Sequence, residues 1–519
     1  MLLYGSDLSP RPRRLAGASR TLIRQLIVVA LAFAALAAPL RSAEAVPFAE
    51  VGDRQLRSDI EILAARGLIS GPISTWPIPV GFLKPLRDAR RLEHQPAFIQ
   101  AAARRVLQRL GGRNQVTGWK PAAELRFASE PELIRDFGTS ARNQADVRAG
   151  LDYEGDLIGA SLRVGDQTRL NGSESKPTLD GSYVSALLGN WQVYLGEVDQ
   201  WYGPGWESSL ILSNNARPIP RIGLLRNSPD AFKTRWLSWL GPWQLNTFIG
   251  LLDGGDRIDR NIPIASLRFS FEPVNGLEIG LTRITEFCGQ NHTCDPFKAA
   301  FGFQNTDANR NVSNEEASIE FKYHYDFKKL SFSPYIQFQN EDTGPFVHSF
   351  TSHLAGLTWA GPWGQDGGRW RLVTEYTDSR ATLNFLSFGK RAVGTAYNNT
   401  QYLDGFRYRG RTLGFSLDSE STLFSVVALL TDRHGLGYRF AYHNAHINTA
   451  ELARAQATGN PATRNVVSAQ PVTINEVEAG VSLPYHDFVF DFTIRGQDAR
   501  PYPATSGQIN FEAGISYRF

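Results

Sequence analysis

The last eleven residues of the chain alternate between apolar and polar or small side chains. The apolar positions are Ile509, Phe511, Ala513, Ile515, Tyr517 and Phe519. Between them stand Asn510, Glu512, Gly514, Ser516 and Arg518. Because successive side chains of a β-strand point to opposite faces, this segment predicts a strand with one lipid-compatible face and one wet face. Such a strand restricts the fold to a sheet that borders lipid.

Segments with the same period of two recur from about residue 120 onward. They predict hairpins with short turns, at residues 147–164, 265–281, 319–338 and 477–494. Longer polar stretches at 305–314, 389–408 and 450–470 alternate with these turns. Short turns on one side and long loops on the other are typical of a transmembrane antiparallel β-barrel. We predict such a barrel over residues 116–519, with an even number of strands, about 16 to 20.

The closing strand also resembles the insertion signal of bacterial outer-membrane β-barrels, through Phe511, Ile515, Tyr517 and Phe519. The other end of the chain predicts export to that compartment. Residues 1–45 combine an arginine-rich start, an apolar stretch of 13 residues from Leu26 to Ala38, and small residues at positions 43 and 45. This stretch is shorter than the roughly 20 residues of a spanning helix, so we predict a cleaved signal peptide ending at Ala45.

The charge of the chain gives no reason to expect a nucleic-acid partner. Residues 1–45 carry six Arg against Asp7 and Glu44, a net +4, whereas the whole chain carries +3. The mature chain is therefore about −1, and nucleic-acid-binding domains are usually strongly basic.

Residues 46–115 have a helical period instead of a period of two. We predict three short helices, whose apolar faces are Leu56, Ile60 and Leu63; Phe82, Leu86 and Ala89; and Phe98, Ala102, Val106 and Leu110. Gly67 and Gly111 follow the first and third helices where a helix would end. Three short helices bury little core alone, and we therefore expect a small α-helical domain whose helices pack on the barrel or on one another at its mouth.

Cys288 and Cys294 are the two cysteines of the chain, and His292 lies between them. They stand in a polar, turn-like insert, so in an oxidising compartment they predict a disulfide that closes a small loop. A metal site made of these three residues would lack a fourth ligand. We therefore expect no metal and no cofactor.

Residues 191–229 differ in composition from the predicted strands. Carboxylates, amides, guanidinium groups and aromatic rings stand close together, and Glu197 and Asp199 would share one face of a strand with Trp201. This composition suits a carbohydrate, and it equally suits a network of paired charges inside a barrel lumen. Under both interpretations the candidate residues are Glu197, Asp199, Trp201, Tyr202, Trp206, Asn214, Asn215, Arg217 and Arg221.

The same stretch resembles the capsule assembly Wzi family of outer-membrane proteins. The resemblance is carried by Trp201 to Gly205, by Ser209-Leu210 and Leu212-Ser213, and by Asn214 to Pro220. Leu56 to Asp59, Trp76-Pro77 and the closing strand extend it over the mature chain. The family pattern often has two adjacent Trp where this chain has Trp201-Tyr202.

The resemblance implies 18 antiparallel strands with a small α-helical bundle on the periplasmic side. It also implies a lectin-like role, in which the protein tethers secreted capsular polysaccharide to the cell surface and is not itself the export pore. The expected partners are the polysaccharide, outer-membrane lipid, the barrel-insertion machinery and a separate export channel.

Two other functions fit the same architecture. A passive channel for sugars or other small solutes would need an open lumen, which the helices and residues 191–229 disfavour.

A barrel enzyme would need an oriented nucleophile, yet the chain has no G-x-S-x-G motif and none of its nine His lies in a recognisable motif. Glu197 and Asp199 are spaced closely enough for a glycosidase pair, but paired acids in a lumen are commoner, so we expect no enzyme.

Overall fold

The computed structural model describes most of the predicted mature chain. The described residues are 48–111, 118–155, 157–169, 175–254, 257–290, 292, 294, 313–327, 329–341, 350–364, 367–384, 390–504 and 506–518. The predicted signal peptide, most of the 305–314 stretch and Phe519 lie outside them.

The described residues form a closed antiparallel β-barrel of 18 strands. Its first nine strands are β1 (Gly118–Ala128), β2 (Ala145–Glu154), β3 (Ile158–Thr168), β4 (Ser175–Thr178 and Tyr183–Leu188), β5 (Trp191–Gly196), β6 (Arg221–Arg226), β7 (Trp243–Leu252), β8 (Ile262–Val274) and β9 (Leu277–Phe287). The other nine are β10 (Ser313–Tyr323, continued by Tyr325–Asp326), β11 (Ser331–Glu341), β12 (Phe350–Trp363), β13 (Gly368–Thr382), β14 (Thr422–Thr431), β15 (Gly437–Ile447), β16 (Val472–Tyr485), β17 (Phe488–Gln497) and β18 (Gln508–Arg518). The predicted fold class is confirmed.

The closing strand behaves as its alternation predicts. β18 pairs with β1 from Glu512 opposite Ala128 to Arg518 opposite Ala122, which closes the barrel. Phe511 and Ile509 on its outer face are 58% and 64% exposed, whereas Glu512 on the inner face is 6% exposed. An apolar outer face and a polar inner face are what a barrel in a lipid bilayer requires.

The two ends of the barrel differ in the length of their connections. At one end, here called the short-turn end, most connections are brief, such as residues 189–190, 275–276 and 486–487. At the other, the long-loop end, they include residues 129–144, 197–220, 383–421, 448–471 and 498–507. The hairpins predicted at 147–164, 265–281, 319–338 and 477–494 are all present.

Among the described residues, four helical segments precede the barrel and two lie in connections between its strands. They are α1 (Arg54–Ala65), a 3₁₀ helix (Val80–Arg87), α2 (Ala89–Glu93), α3 (Ala97–Gly111), a 3₁₀ turn (Ser238–Leu240) and α4 (Ala450–Gln456). Gly67 has φ +67°, as expected just beyond the end of α1. The predicted second helix is split into the 3₁₀ helix and α2 at Asp88, whose backbone is extended and whose side chain caps α2 by accepting from the backbone N–H of Arg90. None of the helices in the described part of the chain is long and apolar enough to span a membrane.

One local prediction is wrong. We expected a strand on which Glu197, Asp199 and Trp201 share a face, but β5 ends at Gly196. Trp201 and Tyr202 form a separate short strand that pairs with Thr75 and Trp76. The chain leaves the barrel wall here because its partner is a segment distant in sequence, which the local pattern does not encode.

Candidate functional site: the filled lumen

Helix α1 lies inside the barrel at the short-turn end and is held there by ion pairs. Asp59 contacts Arg369 of β13 at 2.6 Å and Arg105 of α3 at 2.7 Å. Burial disfavours the charge of Asp59, but these two guanidinium groups outweigh it and hold its pKa below the usual range. Glu61, two residues later, contacts Lys322 of β10 at 2.7 Å and Arg371 of β13 at 2.9 Å. Acidic side chains of α1 therefore form ion pairs with basic side chains of the barrel wall.

A long loop enters the lumen from the opposite end. Residues 197–220, here called the lumen loop, connect β5 to β6 at the long-loop end. Within this loop, Trp201 pairs with Trp76 and Tyr202 with Thr75 of the segment that follows α1. Trp76, Trp201 and Tyr202 are fully buried. Segments entering from both ends of the barrel thus meet and join by backbone hydrogen bonds in its interior.

Aromatic rings surround this junction. Phe137 of the 129–144 connection packs edge to face on Trp76 at 4.9 Å and on Trp201 at 5.6 Å between ring centroids. The Arg57 guanidinium of α1 lies 4.6 Å from the centroid of Phe137 and 4.5 Å from that of Trp206. It also donates to the carbonyl oxygen of Pro204 at 2.8 Å. Stacking and cation–π contacts therefore join three separate parts of the chain.

The barrel wall binds the backbone of the lumen loop. The Glu375 carboxylate of β13 accepts from the backbone N–H groups of Trp206 at 2.7 Å and Glu207 at 3.2 Å, and from the Tyr335 hydroxyl at 2.7 Å. Gln337 of β11 accepts from the backbone N–H of Leu210 at 3.0 Å and donates to the carbonyl oxygen of Tyr202 at 3.1 Å. These contacts fix an irregular loop whose backbone groups have no ladder partner.

Asn214 and Asn215 bind other long loops. Asn214 Nδ2 donates to the carbonyl oxygen of Gly138 at 3.1 Å, and Asn215 Nδ2 donates to that of Thr412 at 2.9 Å. Thr412 belongs to the 383–421 connection, which therefore packs on the lumen loop. Asn214 and Asn215 are 5% and 1% exposed, so within the described residues their amides serve packing between loops.

Among the charged candidates, Glu197 and Arg217 share Asp180 as a neighbour, whereas Asp199 contacts Arg142. Asp199 lies 3.2 Å from Arg142, and Arg217 pairs with Asp180 at 2.8 Å. Burial and the neighbouring Asp180 raise the pKa of Glu197 to about 7. The Arg221 guanidinium lies 4.7 Å from the ring centroid of Phe248.

The space left among these residues is small. The cavity lined by Asp199, Arg217 and Arg221 measures about 10 Å³. A volume of this size holds roughly one water molecule and no sugar ring. Eight of the nine candidates lie in the lumen loop, and Arg221 begins β6 directly after it.

The sequence analysis missed several residues of this network. Arg57, Phe137, Gln337 and Glu375 are all buried against the lumen loop. Strand alternation could have predicted that Gln337 and Glu375 lie on the inner face of the barrel. It could not have predicted which residues they contact. Phe137 and Arg57 gave no signal, because their contacts depend on segments far apart in sequence.

The two cysteines are joined in the structure. Cys288 and Cys294 form a disulfide with a Cα–Cα distance of 4.6 Å, just after β9 at the long-loop end. His292 between them stacks on Tyr402 with 4.3 Å between ring centroids and lies 3.4 Å from Asp259.

Comparison with known proteins assigns the chain to a family. The family model of the capsule assembly protein Wzi matches residues 117–491, well over half of the chain. The chain belongs to the Wzi family of capsule assembly proteins. Like the family, it is an outer-membrane β-barrel protein.

Two known proteins illustrate the similarity. An uncharacterised 55.8 kDa protein from the cps region of Klebsiella pneumoniae is 27% identical over 347 residues, which span 64% of this chain and 66% of that protein. The solved structure of Escherichia coli Wzi superposes with a TM-score of 0.74 at 22% identity, covering 91% of this chain and 99% of that chain. That protein is described as a carbohydrate-binding β-barrel involved in group 1 capsule assembly.

Proposed function

We propose that this protein holds capsular or extracellular polysaccharide on the outer surface of the cell and thereby supports capsule assembly. The observation that carries the proposal is the filled lumen, in which the lumen loop pairs with the segment after α1. A polymer anchor needs no passage through the barrel, whereas a pore does. The carbohydrate binding ascribed to the Escherichia coli relative supports the same role.

The proposal includes an orientation and an organisation of the chain. The long-loop end faces the exterior and meets the polymer, while the helices of residues 46–115 lie on the periplasmic side. Residues 1–45 are a signal peptide removed during export. The barrel-insertion machinery acts on the closing strand, and a separate channel exports the polysaccharide.

Binding of polymer by the purified protein tests this proposal. Full-length protein folded in detergent is passed over immobilised high-molecular-weight polysaccharide extracted from the same strain. We expect retention of the folded protein and none of a boiled sample. Equal passage of folded and boiled protein would contradict the proposal.

Single-channel recording tests the passive-channel alternative. The filled lumen supports the prediction that the protein in a planar bilayer gives no steady open current. A steady current at constant voltage would favour a channel for sugars or other small solutes and would count against an anchor with a closed lumen.

The proposal contains no catalytic step. The Wzi family is one of capsule assembly and not an enzyme family. Glu197 and Asp199 contact different partners, Asp180 and Arg142. We expect no release of sugar when purified protein is incubated with the polysaccharide. Release that disappears in Glu197→Gln would contradict this expectation.

A further inference from the structure

A second cavity lies at the long-loop end, away from the lumen loop. It measures about 250 Å³ and is enclosed by residues 130–133 of the β1–β2 connection and by the inner faces of β16, β17 and β18. Gln497 of β17 stands opposite Glu476 of β16 and opposite Gln508 of β18, so the wall here is continuous sheet. The volume lies slightly below the roughly 300–1,000 Å³ of small-molecule sites, which suits one or two sugar residues.

Two buried carboxylates in this cavity each keep one oxygen without a hydrogen-bond donor. Glu132 is 3% exposed, and its Oε1 lies 3.4 Å from Arg495. Glu476 is 1% exposed, and its Oε2 accepts from Gln497. Among the described residues, Glu132 Oε2 and Glu476 Oε1 have no hydrogen-bond partner. Because buried acceptors without donors are costly, these two oxygens indicate a ligand that donates hydrogen bonds.

The positive groups of the cavity already have partners within the chain. Arg495 contacts Glu512 at 3.1 Å and Glu478 at 3.2 Å, in addition to Glu132. Arg500 donates to Gln508 Oε1 and to the carbonyl oxygen of Ser506, both at 2.9 Å. An anionic ligand would therefore meet two acidic side chains, and arginines whose N–H groups already donate within the chain. Hydroxyl groups, in contrast, donate well to carboxylates.

We propose that this cavity binds a neutral, hydroxyl-rich sugar residue of the polysaccharide. Glu132 and Glu476 accept hydrogen bonds from its hydroxyl groups, and the apolar face of the sugar ring packs on Pro131, Leu133 and Pro501, which also line the cavity. The inference rests on the proposed function and names a binding site for it. Its residues are distinct from the nine candidates around the lumen loop.

Removing the two carboxylates tests the site with the retention assay described above. The double variant Glu132→Gln/Glu476→Gln keeps the side-chain shapes and should bind the extracted polysaccharide about 10-fold more weakly, because each carboxyl group loses one acceptor oxygen to an amide nitrogen. Glu316→Gln is the matched control. Glu316 is a fully buried inner-face carboxylate of β10 that does not line the cavity. This control should bind like wild type.

A second variant blocks the cavity without changing its charge. Ala504 lines the cavity, so Ala504→Trp should also weaken binding about 10-fold, whereas Ala457→Trp on the exposed end of α4 should not. Folding of each variant is verified by its heat-modifiable mobility on a gel. If the carboxylate variant does not fold, Ala504→Trp decides the question.

Competition with small sugars tests the chemical class of the ligand. Galactose should release bound polymer at lower concentration than galacturonate, whose carboxylate would face Glu132 and Glu476. More effective competition by galacturonate would overturn the assignment to a neutral sugar.

The outcomes separate this inference from the function on which it rests. If wild type retains polymer and all cavity variants retain it equally, the cavity site is wrong and the anchor function stands. If the wild-type protein itself fails to retain polymer, the anchor function is wrong, and the proposed cavity site, which depends on that function, is wrong too.

Discussion

Glu375 and Glu476 both project from the barrel wall into the lumen, but their surroundings differ. Glu375 accepts three hydrogen bonds, two from the backbone of the lumen loop and one from Tyr335. Glu476 accepts one, from Gln497, and its other oxygen has no partner among the residues that the structure describes. The first lies where the chain fills the lumen, and the second lines the cavity at the long-loop end.

The difference indicates how one barrel serves two purposes. Where the lumen is filled, carboxylates and bases of the wall bind the chain itself and hold its inserted segments. Where the chain leaves a cavity, similar carboxylates remain available to an external donor. Inner-face polarity alone does not distinguish the two, because both kinds of residue alternate in the same way along their strands.

The largest effect is expected when an ion pair of the filled region is broken. Asp59→Ala leaves Arg369 and Arg105 buried without their shared carboxylate, so the free energy of unfolding should fall by about 3–5 kcal/mol. Urea unfolding followed by tryptophan fluorescence measures the loss. Glu93→Ala, at an exposed position of α2, should change stability by less than about 0.5 kcal/mol. Equal effects of the two variants would show that α1 is not held in the lumen.

Removing an aromatic ring from the junction should have a slightly smaller effect. Trp206→Ala deletes a fully buried indole and its contacts with Arg57 and Arg371, so we expect a loss of about 3–4 kcal/mol. Trp236 is 73% exposed, and Trp236→Ala is the matched control. In planar bilayers, Trp206→Ala should also show transient currents that wild type lacks. A silent and fully stable variant would argue against the lumen loop as the closing element.

The contrast between the two glutamates can be measured directly. Glu375→Gln replaces an oxygen acceptor by a donor beside two backbone N–H groups, so it should destabilise the protein by about 2 kcal/mol. Glu476→Gln disturbs one hydrogen bond and should cost less than about 1 kcal/mol. The reverse order would remove the distinction between the filled region and the cavity.

The smallest predicted effect is a dependence on pH at the edge of the lumen loop. Burial and Asp180 raise the pKa of Glu197 from 4.5 to about 7, so the folded state binds a proton that the unfolded state has released. The contribution of Glu197 to stability is thus fully present below about pH 4.5, falls as the pH rises toward about 7, and stays low above that value. Glu197→Gln, which cannot ionise, should flatten this slope in melting experiments between pH 5 and pH 8. An unchanged slope would mean that another group titrates.

Most of the barrel could be predicted from the sequence because its signal is local. The alternation along β18 identified both faces of that strand, and the hairpins followed from the same period and from short turns. The apolar positions of α1 and α3 likewise predicted helices, and Gly67 follows the end of α1 as predicted.

The filled lumen could not be predicted, because its contacts are between distant residues. Asp59 and Arg369 are 310 positions apart in the sequence, and Trp201 pairs with Trp76, which precedes the barrel strands. The composition of residues 191–229 suited both a sugar site and a packed network, and only the tertiary contacts distinguish between them. Glu132 and Glu476 were not identified from the sequence for the same reason. They line one cavity only because of the tertiary fold, and no local sequence pattern indicates it.

The measurement that tests the central claim most directly is the distribution of high-molecular-weight polysaccharide between cell pellet and medium, with and without this gene. The anchor function predicts that deletion moves polymer into the medium while the total amount stays constant, and that the wild-type gene restores the pellet fraction. An unchanged distribution would contradict the claim, and a fall in total polymer would instead place the protein in synthesis or export.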